Sequence, residues 1–342
     1  MKKTISLLLS LLLIVSLVPM AAAADGTAAK SRKGSFGAYK HVYIFGVDGA
    51  GGAIERVDTP NFDRIFGEGA VKYNARAEVY TDSGPNWGSV LSGASNLRTM
   101  YTNGNTSAEG EDWGNGFQMR VYPTIYRFVR RAMPDAVLAS YANYSNINDR
   151  IIEDGLDVEK VHYGDDASLT NAICDYFDAG NKPTLFYSHI DCVDGAGHHY
   201  GSTSPEYAEA IGRADEYLGQ VYDALARNDM LGDTLLLWIT DHGHKPEGGH
   251  GRFSMDESMT TIAAVGKTVI KGGTFDCDTR NRDISAIALH ALGVCKPITM
   301  SSRVPAGLFQ DYCGEVRPIW RDLPDALVSA VMWLYTLTTV KK

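Results

Sequence analysis

Three seven-residue apolar runs each stop at an acid: HVYIFGV at Asp48, TLFYSHI at Asp191 and TLLLWIT at Asp241. Runs of this length without polar alternation are expected of strands buried on both faces, as in a parallel sheet. Between them the chain reads helical. Thr59 and Pro60 open a helix through Ile65, with Thr59 as N-cap and Pro60 at the first helical position. A helix over 122–132 precedes a strand over 136–141, one over 167–177 precedes the strand 184–190, and a longer one over 205–227 precedes the strand 234–240. Alternation of this kind predicts an α/β fold, a mainly parallel central sheet with helices on both faces. Ligands of such sheets bind outside the carboxyl ends of the strands, so the three acids are expected to gather in one crevice, where their charge calls for cations.

The ends of the chain follow other patterns. Residues 1–24 combine Lys2 and Lys3, an apolar run from Ile5 to Val18 and the small residues Ala21–Ala24, the layout of a cleavable secretory signal. Cleavage near Ala24 would release an exported, secreted or cell-surface protein with one catalytic domain over 25–325. Residues 326–342 form an apolar helix or tail, shorter than a membrane span needs and suited to packing on the domain or to association with a membrane surface. Without Lys2 and Lys3 the chain carries 30 basic against 41 acidic side chains. That balance argues against a nucleic-acid partner, whose affinity rests on basic groups, and leaves a small phosphoester drawn in by metal ions.

Ser83 precedes Gly84-Pro85-Asn86-Trp87, where a helix is expected to begin. Backbone N–H groups and the dipole at a helix start favour a phosphoryl oxygen and an alkoxide, so Ser83 suits a nucleophile that is also a metal ligand. By itself a serine at a helix entry is more often a cap. Asp194 and His198 stand four apart in a glycine-rich turn, and with His250 they provide the three protein ligands of a catalytic zinc. Asp241 and His242 end the third strand, with Gly243 allowing the break. His199 and His244 read as solvated or supporting neighbours of these ligands rather than as ligands.

These strings together resemble the alkaline phosphatase superfamily, and most of all its type I phosphodiesterase/nucleotide pyrophosphatase branch. The resemblance rests on Val47-Asp48-Gly49, Thr59-Pro60-Asn61-Phe62-Asp63, Ser83-Gly84-Pro85-Asn86 with Gly93, Asp194 and His198 with Gly197 and Gly201, Thr240-Asp241-His242-Gly243, and Gly249-His250-Gly251, and it runs over about 40–310 in the family's order. It implies an alkaline phosphatase-like fold and two divalent ions, zinc by ligand type. One would be held by Asp194, His198 and His250, the other by Asp48, Ser83, Asp241 and His242. It further implies a phosphoseryl intermediate on Ser83 and an asparagine, Asn103, that donates to a phosphoryl oxygen. Asp82, Asn86, His189 and Asp191 are candidates to orient these groups. The branch often uses threonine where this chain has Ser83, and Thr81-Asp82-Ser83 is similar to the phosphomonoesterase run.

The expected activity is therefore phosphodiester hydrolysis. Alternatives are a phosphomonoesterase, a phosphotransferase, and a non-catalytic metal-containing surface protein, which would be marked by a lost ligand, and none is lost. A sulfatase is disfavoured because Trp87 stands where that family has arginine. Five cysteines, Cys174, Cys192, Cys277, Cys295 and Cys313, leave one unpaired at least, and a disulfide is expected among the last three. Substrate choice is assigned to the unpatterned loop 96–118, and the oligomeric state is not encoded in any pattern.

Overall fold

The segments expected as buried strands form the middle of a seven-stranded sheet. In the computed structural model, which describes residues 34–104, 106, 122–273, 275, 278–297 and 300–315, the strands are β1 (His41–Val47), β2 (Ala70–Arg76), β3 (Leu138–Ala142), β4 (Val158–Val161), β5 (Leu185–Ile190), β6 (Thr234–Thr240) and β7 (Met259–Val265). Their order across the sheet is β2-β7-β6-β1-β5-β3-β4. From β6 to β4 every pairing is parallel, and β7 runs against both β6 and β2. Register explains the crevice. Val47 pairs with Ile190 on one side and Thr240 on the other, so Asp48, Asp191 and Asp241 leave three adjacent strands at one level.

Alternation along β1 sends Val42 and Ile44 to one face and Tyr43, Phe45 and Val47 to the other. The first face packs against Trp87 and Leu91 of α2 (Ser83–Ser92), Ile125 and Val129 of α4 (Ile125–Ala132) and Ile287 of α9 (Asp283–Ala291). The second packs against Phe62 of α1 (Pro60–Phe66), Phe177 of α5 (Asp166–Asp178) and Leu218 of α7 (Pro205–Arg227). Each large side chain so buried contributes roughly 1.5–3 kcal/mol, and helices on both faces are what a two-sided apolar strand requires.

Three local expectations change. The turn expected around Asp194 is instead a helix, α6 (Cys192–Tyr200), entered through Asp191. Gly195 and Gly197 lower helix propensity, but an added Cβ at Gly197 would meet His244 Cδ2 at 2.3 Å, so the glycine is there for a close approach. The helix expected from Tyr122 starts at Ile125, because Tyr122 precedes Pro123 and is thereby kept extended. Part of the expected loop 96–118 is a short helix, α3 (Asn96–Thr99), capped by the Ser95 hydroxyl.

Thr59 stands at the N-cap of α1, but its hydroxyl makes no capping bond. Asp215, from the middle of α7, does that work instead, accepting from Phe62 N at 2.6 Å and Asn61 N at 3.1 Å. A further short helix is α8 (Met255–Ser258), closed by a Ser254–Glu257 capping box. Cys174, Cys192 and Cys313 are free thiols. The expected signal 1–24, the tail 326–342, Cys277 and most of the loop 96–118 lie outside the described residues.

Candidate active site

The strand ends, the start of α2 and the first two turns of α6 meet in one polar cluster. Asp48 and His242 are buried, and Ser83 is 8% exposed as the first residue of α2. Ser83 Oγ lies 3.1 Å from His242 Nε2 and 3.4 Å from Asp48 Oδ1. His242 Nε2 is 3.3 Å from Asp48 Oδ1 and 3.2 Å from Asp241 Oδ2. Ligand atoms at about 2.0–2.1 Å from a tetrahedral zinc are about 3.3–3.4 Å apart, so these four spacings are close to the edges of one tetrahedron.

The second cluster shows the same spacing. His198 Nε2 lies 3.1 Å from His250 Nε2 and 3.4 Å from Asp194 Oδ2, and His250 Nε2 lies 3.5 Å from Asp194 Oδ1. On α6 the four-residue step puts Asp194 and His198 on one face.

Protons decide what these atoms want. His250 Nδ1 lies 2.6 Å from the Thr81 carbonyl and His242 Nδ1 lies 3.2 Å from that of Gly243. A carbonyl only accepts, so each Nδ1 carries the proton and each Nε2 turns a lone pair inward. Asp241 Oδ2 is buried and has no hydrogen-bond partner. Apart from the Ser83 hydroxyl, which donates to Asp48 Oδ1, lone pairs and carboxylate oxygens therefore converge around His242 Nε2, which is the donor set of a candidate cation site.

Electrostatics agree. Burial, then the charge of His250, lowers His242 to about 3. Burial, then the charge of Asp48, holds Asp241 well above the usual carboxylate range. Asp48 itself is lowered: burial opposes this, but the hydrogen bond from His189 and the charge of His242 outweigh it. Burial lowers His198 as well, only partly offset by Asp194. Ionising both buried carboxylates beside neutral imidazoles would call for a positive charge between them.

Around this centre, His189 Nε2 donates to Asp48 Oδ2 at 2.9 Å while its Nδ1 accepts from Tyr144 N at 3.3 Å. Asn103 is exposed, and its Oδ1 accepts from Gly84 N at 2.8 Å, which fixes the amide so that the NH2 half is left to donate at the nucleophile's helix entry. Asn86 is placed differently. Fully buried, it donates to the Tyr80 and Asp82 carbonyls and accepts from Glu78 N and Asn281 Nδ2, so it holds the 78–83 segment rather than a substrate. Asp82 is the half-buried N-cap of α2 without a side-chain capping bond. Asp191 lies near Asp48 and His189 at an exposed edge, and His199 faces outward with Nδ1 on the Gly195 carbonyl.

Two participants were not singled out from sequence. Trp87 Nε1 donates to Asp48 Oδ2 at 2.8 Å, one helical turn after Ser83, so the i,i+4 spacing was the available signal. Thr81 accepts His250 Nδ1 at its carbonyl and Gly251 N at its hydroxyl, tying the nucleophile segment to the 248–251 turn.

A sheet with acids at three adjacent strand ends and a helix-borne serine defines an alkaline phosphatase-like α/β fold. Solved structures agree: murine ectonucleotide pyrophosphatase/phosphodiesterase 5 superposes with a TM-score of 0.61 at 15% identity, covering 75% of this chain and 96% of that one. The human protein does so with 0.62 at 13%, with the same coverage. The type I phosphodiesterase / nucleotide pyrophosphatase family model matches residues 42–275, and the chain belongs to that family. Among curated proteins, GPI ethanolamine phosphate transferase 1 of Yarrowia lipolytica is 34% identical over 110 residues, 31% of this chain and 11% of that protein. GPI ethanolamine phosphate transferase 3 of Eremothecium gossypii is 29% identical over 112 residues, 30% and 11% respectively. The matched stretch thus spans about a tenth of the length of these curated relatives.

Proposed function

We propose that this protein is an exported phosphodiester hydrolase that works through a phosphoseryl intermediate on Ser83 with two divalent ions, zinc by ligand type. The observation that carries the reading is the set of converging lone pairs around Ser83, Asp48, Asp241 and His242, at tetrahedral spacing and with Asp241 Oδ2 unpartnered. Asp48, Ser83, Asp241 and His242 would hold one ion, and Asp194, His198 and His250 the other. Bound there, the ions would supply Lewis-acid charge that favours the serine alkoxide and neutralises developing negative charge on the ester oxygens.

The chain's own groups do the rest. Ser83 Oγ attacks phosphorus, the bond to the leaving oxygen breaks, and an alcohol departs with a proton from solvent. Gly84 N at the helix entry of α2 fixes the Asn103 amide, whose NH2 half adds a neutral donor for a phosphoryl oxygen. Trp87 and His189 hold Asp48, and Thr81 holds His250 in the tautomer that leaves Nε2 free. Water then attacks the same phosphorus, releasing Ser83 and a monoester. Most of this catalysis is positioning and charge stabilisation.

A neutral amide binds one phosphoryl oxygen without demanding the second charge of a monoester, which supports diesters. Expected on metal-loaded enzyme is a higher kcat/KM for bis(p-nitrophenyl) phosphate than for p-nitrophenyl phosphate. A monoester preference above about tenfold, worth about 1.4 kcal/mol, rejects the diesterase reading. The acidic composition supports a small phosphoester rather than a nucleic-acid polymer. Export rests on residues 1–24, and surface association on 326–342. Among the described residues no helix is long and apolar enough to cross a membrane.

A second reading, transfer of the phosphoryl group to an alcohol, is favoured by one observation: both curated relatives named above are ethanolamine phosphate transferases.

A further inference from the structure

His244, two residues beyond the ligand His242, is 1% exposed, and its Nε2 lies 2.9 Å from Asp194 Oδ1. A carboxylate only accepts, so Nε2 carries the proton. Nδ1 then holds a lone pair, and it is buried with no partner. The surroundings are shaped to the ring. An added Cβ on Gly197 would fall 2.3 Å from Cδ2, and one on Gly49 would fall 2.8 Å from Nε2. Gly49 also has a positive φ of 70°, so the turn after β1 both needs glycine and makes room for this imidazole. The ring stands edge-on to His198 at 5.0 Å and to Tyr207 at 6.0 Å, and it borders a cavity of about 200 Å³ shared with Gly51, Gly243 and Met259. Burying an imidazole with one nitrogen unpaired is unfavourable, so the position is accounted for by the bond that the other nitrogen makes.

We infer that His244 is a positioning residue for the cation site of Asp194, His198 and His250. Its Nε2–H donates to Asp194 Oδ1, which leaves Oδ2 turned to His198 at 3.4 Å. Asp194 needs this support because it is borne by a glycine-rich helix and its side chain is 17% exposed, whereas Asp48 is held by two buried donors. Groups that orient a ligand in this way are worth about 10–100-fold in metal affinity.

The inference rests on the two-metal reading, so the parent enzyme is measured first: zinc is titrated into chelated protein against a chromophoric competitor, and cobalt(II) absorption is recorded. Two equivalents in the parent are expected, and a parent that binds none overturns both readings. With two equivalents in the parent, His244→Ala should weaken one site about 10–100-fold, leave the other unchanged and alter the cobalt spectrum. His244→Gln, whose amide nitrogen reaches about as far as Nε2, should retain most of the affinity. Added imidazole, entering the space left beside the cavity, should restore part of it to His244→Ala. Unchanged affinities at both sites in His244→Ala, or His244→Gln as weak as His244→Ala, would overturn the assignment while leaving the two-metal reading intact. Should His244→Ala not fold, His244→Gln and Gly197→Ala, which displaces the ring, are read against the same parent: retained affinity in the first with loss in the second supports the role, and equal behaviour overturns it.

Discussion

At the scale of single residues, the serine hydroxyl and the neighbouring acid make separable predictions. In the proposed ligand set Ser83 Oγ would be the fourth member, and Asp48, Asp241 and His242 remain when it is removed. Ser83→Ala is therefore expected to lower turnover by about a thousandfold or more while the fold and metal content stay near the parent's; activity within tenfold of the parent would exclude a serine nucleophile. Asp241 governs the response to pH. Its raised affinity for a proton in the metal-free fold contributes stability below the unfolded carboxylate value of about 3.9, which is lost as pH rises. His242 has the opposite sign: lowered to about 3, it contributes stability present above about 6.5 and lost as pH falls toward 3. A cation removes the penalty of ionising Asp241 and asks no proton of His242 near neutrality. The difference in melting temperature between metal-loaded and chelated protein should thus widen from pH 5 to pH 8. Melts with and without chelator that differ by a constant amount over that range would show that Asp241 does not titrate against the metal.

At the scale of elements, long-range polar contacts fix what local sequence leaves open. The start of α1 is closed by Asp215, which accepts three N–H groups from Asn61 and Phe62 and sets a carboxylate at a helix N-terminus. Asp215→Ala leaves those donors unpaired in a buried place, and a loss of about 2–3 kcal/mol is expected from urea denaturation; a loss below about 0.5 kcal/mol would mean that water replaces the carboxylate at no cost. This contact also marks the limit of sequence reading. The strand ends were legible because an apolar run that stops at Asp-His or Asp-Gly leaves few alternatives, and so were α7 and the parallel core of the sheet. The cap of α1 was not, because its acceptor, Asp215, is 154 positions from Asn61 along the chain. Helix α6 was read as a turn because Gly195 and Gly197 lower local propensity, and the reason for Gly197, the ring of His244, comes from another element. Trp87 was noted as part of the helix start and for not being arginine, since a donor to Asp48 becomes visible once β1 and α2 are packed together. The reversed direction of β7 is set by its connection to β6, which no local pattern encodes.

At the scale of the whole molecule, the sheet, the strand-end acids and the family match agree, and the open question is the fate of the phosphoryl group. The structural relatives share the fold with this chain at 13–15% identity, and the curated transferases share about a third of its length, so neither set decides between water and an alcohol. Geometry bears on the choice. Ser83 is 8% exposed, His198 has a side chain 48% exposed, and Asn103 is open to solvent, which would let water reach the proposed phosphoseryl group once the leaving alcohol has gone. An acceptor could compete with water on equal terms only if a further contact held it there, because water is present in great excess and a bound acceptor gains effective concentration. Hydrolysis is accordingly expected to dominate when bis(p-nitrophenyl) phosphate is turned over in the presence of ethanolamine or a simple alcohol, with the products separated and quantified. The transfer product should stay a minor fraction and rise in proportion to acceptor concentration. A transfer product that saturates with acceptor and exceeds the hydrolysis product at acceptor concentrations far below that of water would reveal a bound acceptor, and the protein would then be a phosphotransferase that hydrolyses its intermediate only by default.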